Sequence, residues 1–258
     1  MTAFWAPAQR DVLRVAGADA LTYLQGQVSQ DLRPLAVGAS TWKLLLQPTG
    51  KVDVLARVWR TAEETFVLDT DAGYGEAMAT RLRRFMIRVA VELEPLGWPA
   101  IAVRGVGEQR PDDAVAGWWG RDFDVLGPTA ELGAAVPEGT AADLERARVE
   151  AGWPAMGAEI VPGETIPAET GVVAVAVDFR KGCYPGQELV ERMESRGATA
   201  PRRLRTLTVA DGARPGDPVV DAEGRQVGVL TSVAGMAAIA SVRRGVELGA
   251  EPGSLTSG

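Results

Sequence analysis

Thirty glycines and sixteen prolines in 258 residues imply many turns, and a fold built from short elements with more strand than long helix. No internal repeat, coiled-coil heptad or low-complexity tract runs against that reading. The pattern is plainest over residues 204–242. There, Val-rich runs at 207–210, 218–220, 226–232 and 237–242 are separated by Asp-Gly, Pro-Gly-Asp and Glu-Gly-Arg turns, which predicts a small antiparallel β-barrel.

Upstream, strands and helices are mixed without a repeated βαβ rhythm. Residues 11–15 read as a strand, followed by a short helix through Ala20, Leu21, Leu24 and Val28 with Asp19 as its cap. Two strand-like runs at 41–47 and 52–60, joined by Pro48-Thr49-Gly50, predict a hairpin, and 65–68 predicts a third strand. Asp71 is the expected cap of a helix over 72–84, where Met78, Leu82 and Phe85 share a stripe that Arg81, Arg83 and Arg84 do not. Residues 101–106 predict another strand, 108–120 a surface connection, and 141–151 a helix carrying Leu144 and Ala147 on one face with Gly152 past its end. The expected division is 1–98, 99–200 and 201–250, with 251–258 as an unstructured tail.

The chain contains no histidine and one cysteine, Cys183. Ser-His-Asp and Cys-His catalysis, His-ligated zinc, an internal disulfide, a CxxC redox pair and a self-ligated iron-sulfur cluster are therefore excluded. A net charge of -7 argues against a general nucleic-acid binder, so any RNA contact must come from a local patch. The longest apolar run, 172–177, is far short of the ~18 residues of a membrane span. The first residues lack the basic and apolar segments of a signal peptide, which predicts a cytoplasmic protein.

Cys183 lies in Lys181-Gly182-Cys183-Tyr184-Pro185-Gly186-Gln187-Glu188, a loop fixed by two glycines and a proline. Two readings of the thiol are open: a nucleophile poised by Arg180 and Lys181, or a small buried side chain in a structural turn. The segment resembles the K-G-C-Y-x-G-Q-E motif of the YgfZ family of folate-binding proteins, relatives of the aminomethyltransferase of the glycine cleavage system. Three other stretches are similar to family elements, in the right order. These are Gly17 to Asp19 with Tyr23-Leu24-Gln25-Gly26-Gln27-Val28, then Leu46-Gln47-Pro48-Thr49-Gly50-Lys51-Val52, then Arg148 to Gly152 followed by Gly157 to Ile160 and Ile166 to Glu169.

The resemblance implies a ring of two α+β domains and a C-terminal β-barrel around a central cavity. It implies tetrahydrofolate, or a one-carbon derivative, as cofactor. It also implies a role in iron-sulfur cluster assembly or repair, with assembly or client proteins as partners and support of tRNA-modifying enzymes. By the same resemblance, Glu169 and Asp53 fall where relatives hold the pterin and approach its reacting nitrogen. Lys181, Tyr184, Trp153 and Gln187 join them as cofactor-binding candidates, and Cys183 and Asp53 are the candidate catalytic groups. Arg81, Arg83, Arg84 and Arg88, and separately Arg202, Arg203 and Arg205, are cationic segments for a folate tail, an RNA or an acidic partner. The chain departs from the family pattern at Ala168, where many relatives carry His, and at Glu191, which adds a negative charge beside the proposed site. Two other function classes stay open: a folate-dependent aminomethyl or one-carbon transferase, and an RNA-binding module.

Overall fold

The computed structural model describes residues 2–107, 110, 111, 113–130, 136–195, 200–246, 256 and 257. In chain order its first half contains β1 (Phe4–Ala8), β2 (Arg10–Ala16), α1 (Ala20–Gln25), β3 (Ser40–Leu46), β4 (Val52–Ala62), β5 (Thr65–Asp71), α2 (Gly75–Arg83), β6 (Glu92–Leu96), β7 (Ala100–Arg104), β8 (Ala114–Ala116) and β9 (Phe123–Leu126). The second half contains α3 (Ala141–Glu150), α4 (Val173–Ala176), α5 (Gln187–Ser195), β10 (Arg202–Thr208), β11 (Pro218–Val220), β12 (Gln226–Ala234), β13 (Ala237–Arg243) and β14 (Thr256–Ser257).

Three antiparallel sheets result, in the orders β3-β4-β5-β2-β6, β1-β7-β9-β8 and β11-β12-β13-β10-β14. The expected hairpin, the strand after it and the four barrel runs all form. In the first sheet both faces are covered, which is why β3 is buried without interruption from Trp42 to Leu46 rather than at alternate positions. Leu45, Val54, Ala56 and Val58 face a core roofed by α1 and α2. Trp42, Leu44, Leu46 and Leu55 face a second core, completed by Trp153, Met156, Ile160, Val172, Tyr184 and Val190 from the far side of the chain. Leu207, Val219, Leu230, Ala238 and Ala240 fill the C-terminal barrel. The N-terminal strand β1 pairs with β7, so the chain enters through the second sheet before building the first.

Both expected carboxylate caps are reassigned. Helix α2 starts at Gly75 with no side-chain cap from its own segment. Its free amides are met by Asp11 on β2, whose Oδ2 accepts from Gly73 N at 2.8 Å and Gly75 N at 2.7 Å. Asp71 instead pairs with Arg10. Asp19 makes no cap bond to α1 and accepts from Ala90 N at 2.7 Å. A nearby strand supplies the capping oxygen in one case, and a loop takes it away in the other; neither is visible in local sequence. The 108–120 connection is also corrected: it contains β8, whose Ala114 and Val115 are buried, although residues 108, 109 and 112 lie outside the described ones. Of the expected tail, Thr256–Ser257 pairs with β10, and residues 251–255 and 258 lie outside the described residues. Helix α3 begins with a capping box the sequence reading missed, Thr140 with Asp143.

Candidate functional site

The motif segments converge around the cysteine loop. Lys181 is buried, Gly182 and Cys183 are exposed, and Tyr184 is buried again, so residues 181–184 form an arch with the free thiol at its crown. The buried-turn reading of Cys183 is thereby set aside. One foot is the Lys181 ammonium, which donates to main-chain carbonyls at the end of α1 and in the loop after it. The other is the Tyr184 ring, packed in the second core. Burial lowers the Lys181 pKa to about 8 and raises that of Tyr184 to about 12. Gln187 turns inward on its own segment: its Oε1 accepts from Tyr184 N at 3.3 Å and its Nε2 donates to Glu191.

The arch rests on the β3–β4 hairpin. Gly186 has φ of +83°, and a Cβ there would overlap Gln47 O, while a Cβ on Gly50 would overlap Leu189. Only glycine at both positions lets the hairpin and the start of α5 approach this closely. A bulge at Leu45/Leu46 leaves Asp53 out of the strand pairing and re-aims its side chain. Asp53 Oδ1 accepts from Gln47 Nε2 at 2.8 Å, and Oδ2 lies 3.6 Å from Arg81 Nε. Arg81 is buried, donating twice to Leu46 O and once to Gln27 Oε1. Burial pulls its pKa down against the opposing pull of Asp53. A cleft of about 490 Å³ lies here, lined by Gln47, Asp53, Arg81, Arg84, Phe85 and Pro162 among others.

The remaining sequence candidates are not gathered into this cleft. Trp153 is 2% exposed and sits in the second core between Trp42 at 4.6 Å and Trp119 at 4.9 Å. Glu169 ends the short 3-10 turn Pro167–Glu169 and is half-buried. The neighbouring Ala168 lines a separate, mainly apolar cavity with Ile166, Phe179, Leu189 and Met193.

Sequence reasoning missed a chain of alternating charges buried between the first two sheets. Arg10 pairs with Asp71 and Asp69, Arg57 with Asp69 and Asp124, and Arg104 with Asp124. Burial opposes the charges of Arg57 and Asp124. For Arg57, the carboxylates of Asp69 and Asp124 outweigh that penalty and raise its pKa; for Asp124, Arg104 and Arg57 outweigh it and hold the carboxyl below its usual range. The signal was present as charges set directly against apolar residues, Arg57 between Ala56 and Val58 in β4 and Asp69 after Phe66, Val67 and Leu68 in β5.

The chain of charges ends at Arg104, whose guanidinium lies 4.0 Å over the Trp118 ring and whose buried Nε has no hydrogen-bond partner. Arg104 and Trp118 are shared by two cavities. One, of about 650 Å³, is lined also by Trp119, Arg121, Asp122 and Glu150; the other, of about 310 Å³, by Arg10, Arg148 and Trp153 among others. Trp119 and Asp122 both have φ of 56°, a left-handed backbone that bulky residues seldom adopt. Trp119 is held there by its indole N–H, which donates to Ala151 O at 2.8 Å.

Residues 202–257 match the model of the family described as CAF17, C-terminal beta-barrel domain. Over most of its length the chain is similar to a Haemophilus influenzae protein described as uncharacterized, 28% identical with 90% of this chain and 84% of that one covered. It is 28% identical to the human mitochondrial iron-sulfur cluster assembly factor IBA57, with 85% and 71% covered. It is 26% identical to the IBA57 homolog of Chaetomium globosum, with 88% of this chain covered but only 60% of the fungal one. Among solved structures, the glycine cleavage system aminomethyltransferase T of Bartonella henselae superposes with a TM-score of 0.77 at 19% identity, covering 98% of this chain and 84% of that one. The fold is therefore shared with this aminomethyltransferase, with the expected β-barrel at its C-terminal end.

Proposed function

We propose that this chain is a folate-binding accessory protein of iron-sulfur cluster assembly or repair, of the YgfZ kind, working through the Cys183 thiol. The observation that carries the reading is the arch: one exposed cysteine, rigidly footed on both sides, at the meeting point of three sequence motifs. The names of the IBA57 relatives support the same role. Among the described residues no group of three or more His, Cys, Asp or Glu side chains could hold a metal. A cluster reaching Cys183 as cargo would take its remaining ligands from a partner protein. Among the described residues no helix is long and apolar enough to cross a membrane.

For folate, the residues around Trp118 fit best. A pterin needs aromatic cover, an acceptor for its amino edge and cations for its glutamate tail. Trp118 and Trp119 supply the first, Glu150 the second, and Arg121 with the unpartnered Arg104 Nε the third. The cavity volume is within the range of small-molecule sites. When bound, folate supplies a carrier for one-carbon groups; the protein's part is to hold and orient it. Lys181, Gln187, Tyr184 and Trp153 are already engaged in the fold, whereas Asp53 lines an open cleft.

Asp53 favours the second reading, a one-carbon transferase in which its carboxylate takes or holds a proton of the donor. Calorimetric titration of tetrahydrofolate into wild type, Trp118→Ala and Asp53→Asn separates the sites. A tenfold loss in Trp118→Ala alone supports the tryptophan cavity; a loss in Asp53→Asn alone moves folate to the cleft. No binding to wild type overturns the folate reading. Formation of methylene-tetrahydrofolate from an aminomethylated carrier would establish the transferase.

A further inference from the structure

Lys181 stands two residues before an exposed cysteine yet is 5% exposed itself. Its Nζ donates to the main-chain oxygens of Gln25 at 2.6 Å, Gln30 at 3.2 Å and Val28, so the three protons of the ammonium meet three acceptors. Gln25 is the last residue of α1, where helical carbonyls lack partners of their own and the helix dipole favours a cation. The lysine thus caps α1 from another part of the chain. The ring of Tyr184, the other foot of the arch, has its centroid 5.1 Å from the same nitrogen.

The loop that supplies the carbonyls has independent moorings. Ser29 Oγ donates to Ala176 O at 2.6 Å, Asp178 N donates to Ser29 O at 2.9 Å, Gln30 Nε2 donates to Val175 O at 3.1 Å, and Leu44 N donates to Ser29 Oγ at 2.8 Å. Removing the ammonium therefore empties the cage without undocking the loop. We propose that Lys181 is the positioning residue for the Cys183 thiol, its ammonium seated in a three-carbonyl cage that fixes the near foot of the arch. The cage selects for an N–H cation and not for filled volume. This role rests on Cys183 being the working thiol, but the cage is measurable without it.

The test uses the full chain carrying Lys181→Ala or Lys181→Met, with hydrogen exchange read at the Tyr184 and Gln187 amides, which join arch and helix. Both variants are expected to exchange at least tenfold faster there than wild type. Propylammonium should restore the slow exchange in Lys181→Ala, whereas 1-propanol and tetramethylammonium, which lack either the charge or the N–H donors, should not. Lys181→Met, whose stem fills the channel, should stay fast with every additive. Unchanged exchange in both variants, or equal rescue by propanol, would overturn the cage. If the cage holds while Cys183→Ser supports iron-sulfur enzymes as well as wild type does, the lysine's structural role stands and the reading of the thiol falls.

Discussion

Arg57 and Asp69 lie opposite each other on β4 and β5, and the guanidinium grips both carboxylate oxygens, at 2.9 and 3.0 Å, with neither side chain more than 1% exposed. The same Arg57 reaches Asp124 on β9 at 2.7 Å, so one side chain ties the first sheet to the second. Arg57→Met should therefore cost about 3–5 kcal/mol, because Asp69 and Asp124 lose a shared partner while still buried. Urea unfolding measures it. A loss below about 1 kcal/mol would show that the two sheets do not depend on this link.

Lys43 on β3 is fully buried and its Nζ has no hydrogen-bond partner, and burial pulls its pKa down to about 7. Between pH 7 and 10 the unfolded chain binds the proton that the folded chain has released, so stability should rise with pH across that window. Lys181, lowered to about 8, adds a slope of the same sign. Lys43→Met should stabilise the protein at pH 7 by about 1–3 kcal/mol, by removing an unsatisfied donor, and should flatten the rise without abolishing it. Urea midpoints at pH 6 to 10 for both proteins decide this; an unchanged slope would place the source elsewhere.

Two glycines of the cysteine loop should differ sharply. Gly186→Ala meets both a φ of +83° and the Gln47 carbonyl, and is expected to cost about 1–3 kcal/mol. Gly182→Ala meets nothing within 4 Å and should stay within about 0.5 kcal/mol of wild type. Equal effects in thermal unfolding would contradict the packing of the arch on the hairpin.

Glu159 joins three parts of the chain. Its carboxylate accepts from Arg148 Nη1 on α3 at 3.0 Å, from Ser232 Oγ on β12 at 2.7 Å and from Ala155 N at 2.9 Å. Glu159→Ala should destabilise by about 3–5 kcal/mol and expose the barrel to limited proteolysis, since Arg148 is left without one of its buried partners. A variant as protease-resistant as wild type would show that the barrel is held by apolar contacts alone.

The barrel and the first hairpin were legible because turn residues punctuate them and local pattern decides strand pairing there. The caps were not. Asp11 reaches α2 across 62 residues to Gly73 and 64 to Gly75, and no local signal marks such a donor-acceptor pair. At the candidate site the motif located Cys183 and the hairpin carrying Asp53, because sharp turns leave glycine and proline signatures. It did not reveal that Lys181 would be spent on three carbonyls 151 to 156 residues away, or that Trp153 would be buried under Trp42. The Trp118 cavity was missed for a related reason. Its walls come from β7, the turn after β8 and α3, and only the assembled sheets bring them together.

The most direct measurement is complementation. In cells lacking this protein, the activity of a [4Fe-4S] enzyme is compared after supplying wild type or Cys183→Ser at equal abundance. The account predicts that the serine variant, folded and still able to bind folate, restores less than a tenth of the activity that wild type restores. Full restoration by Cys183→Ser would contradict it, leaving the arch as a structural turn and the thiol without a part in the chemistry.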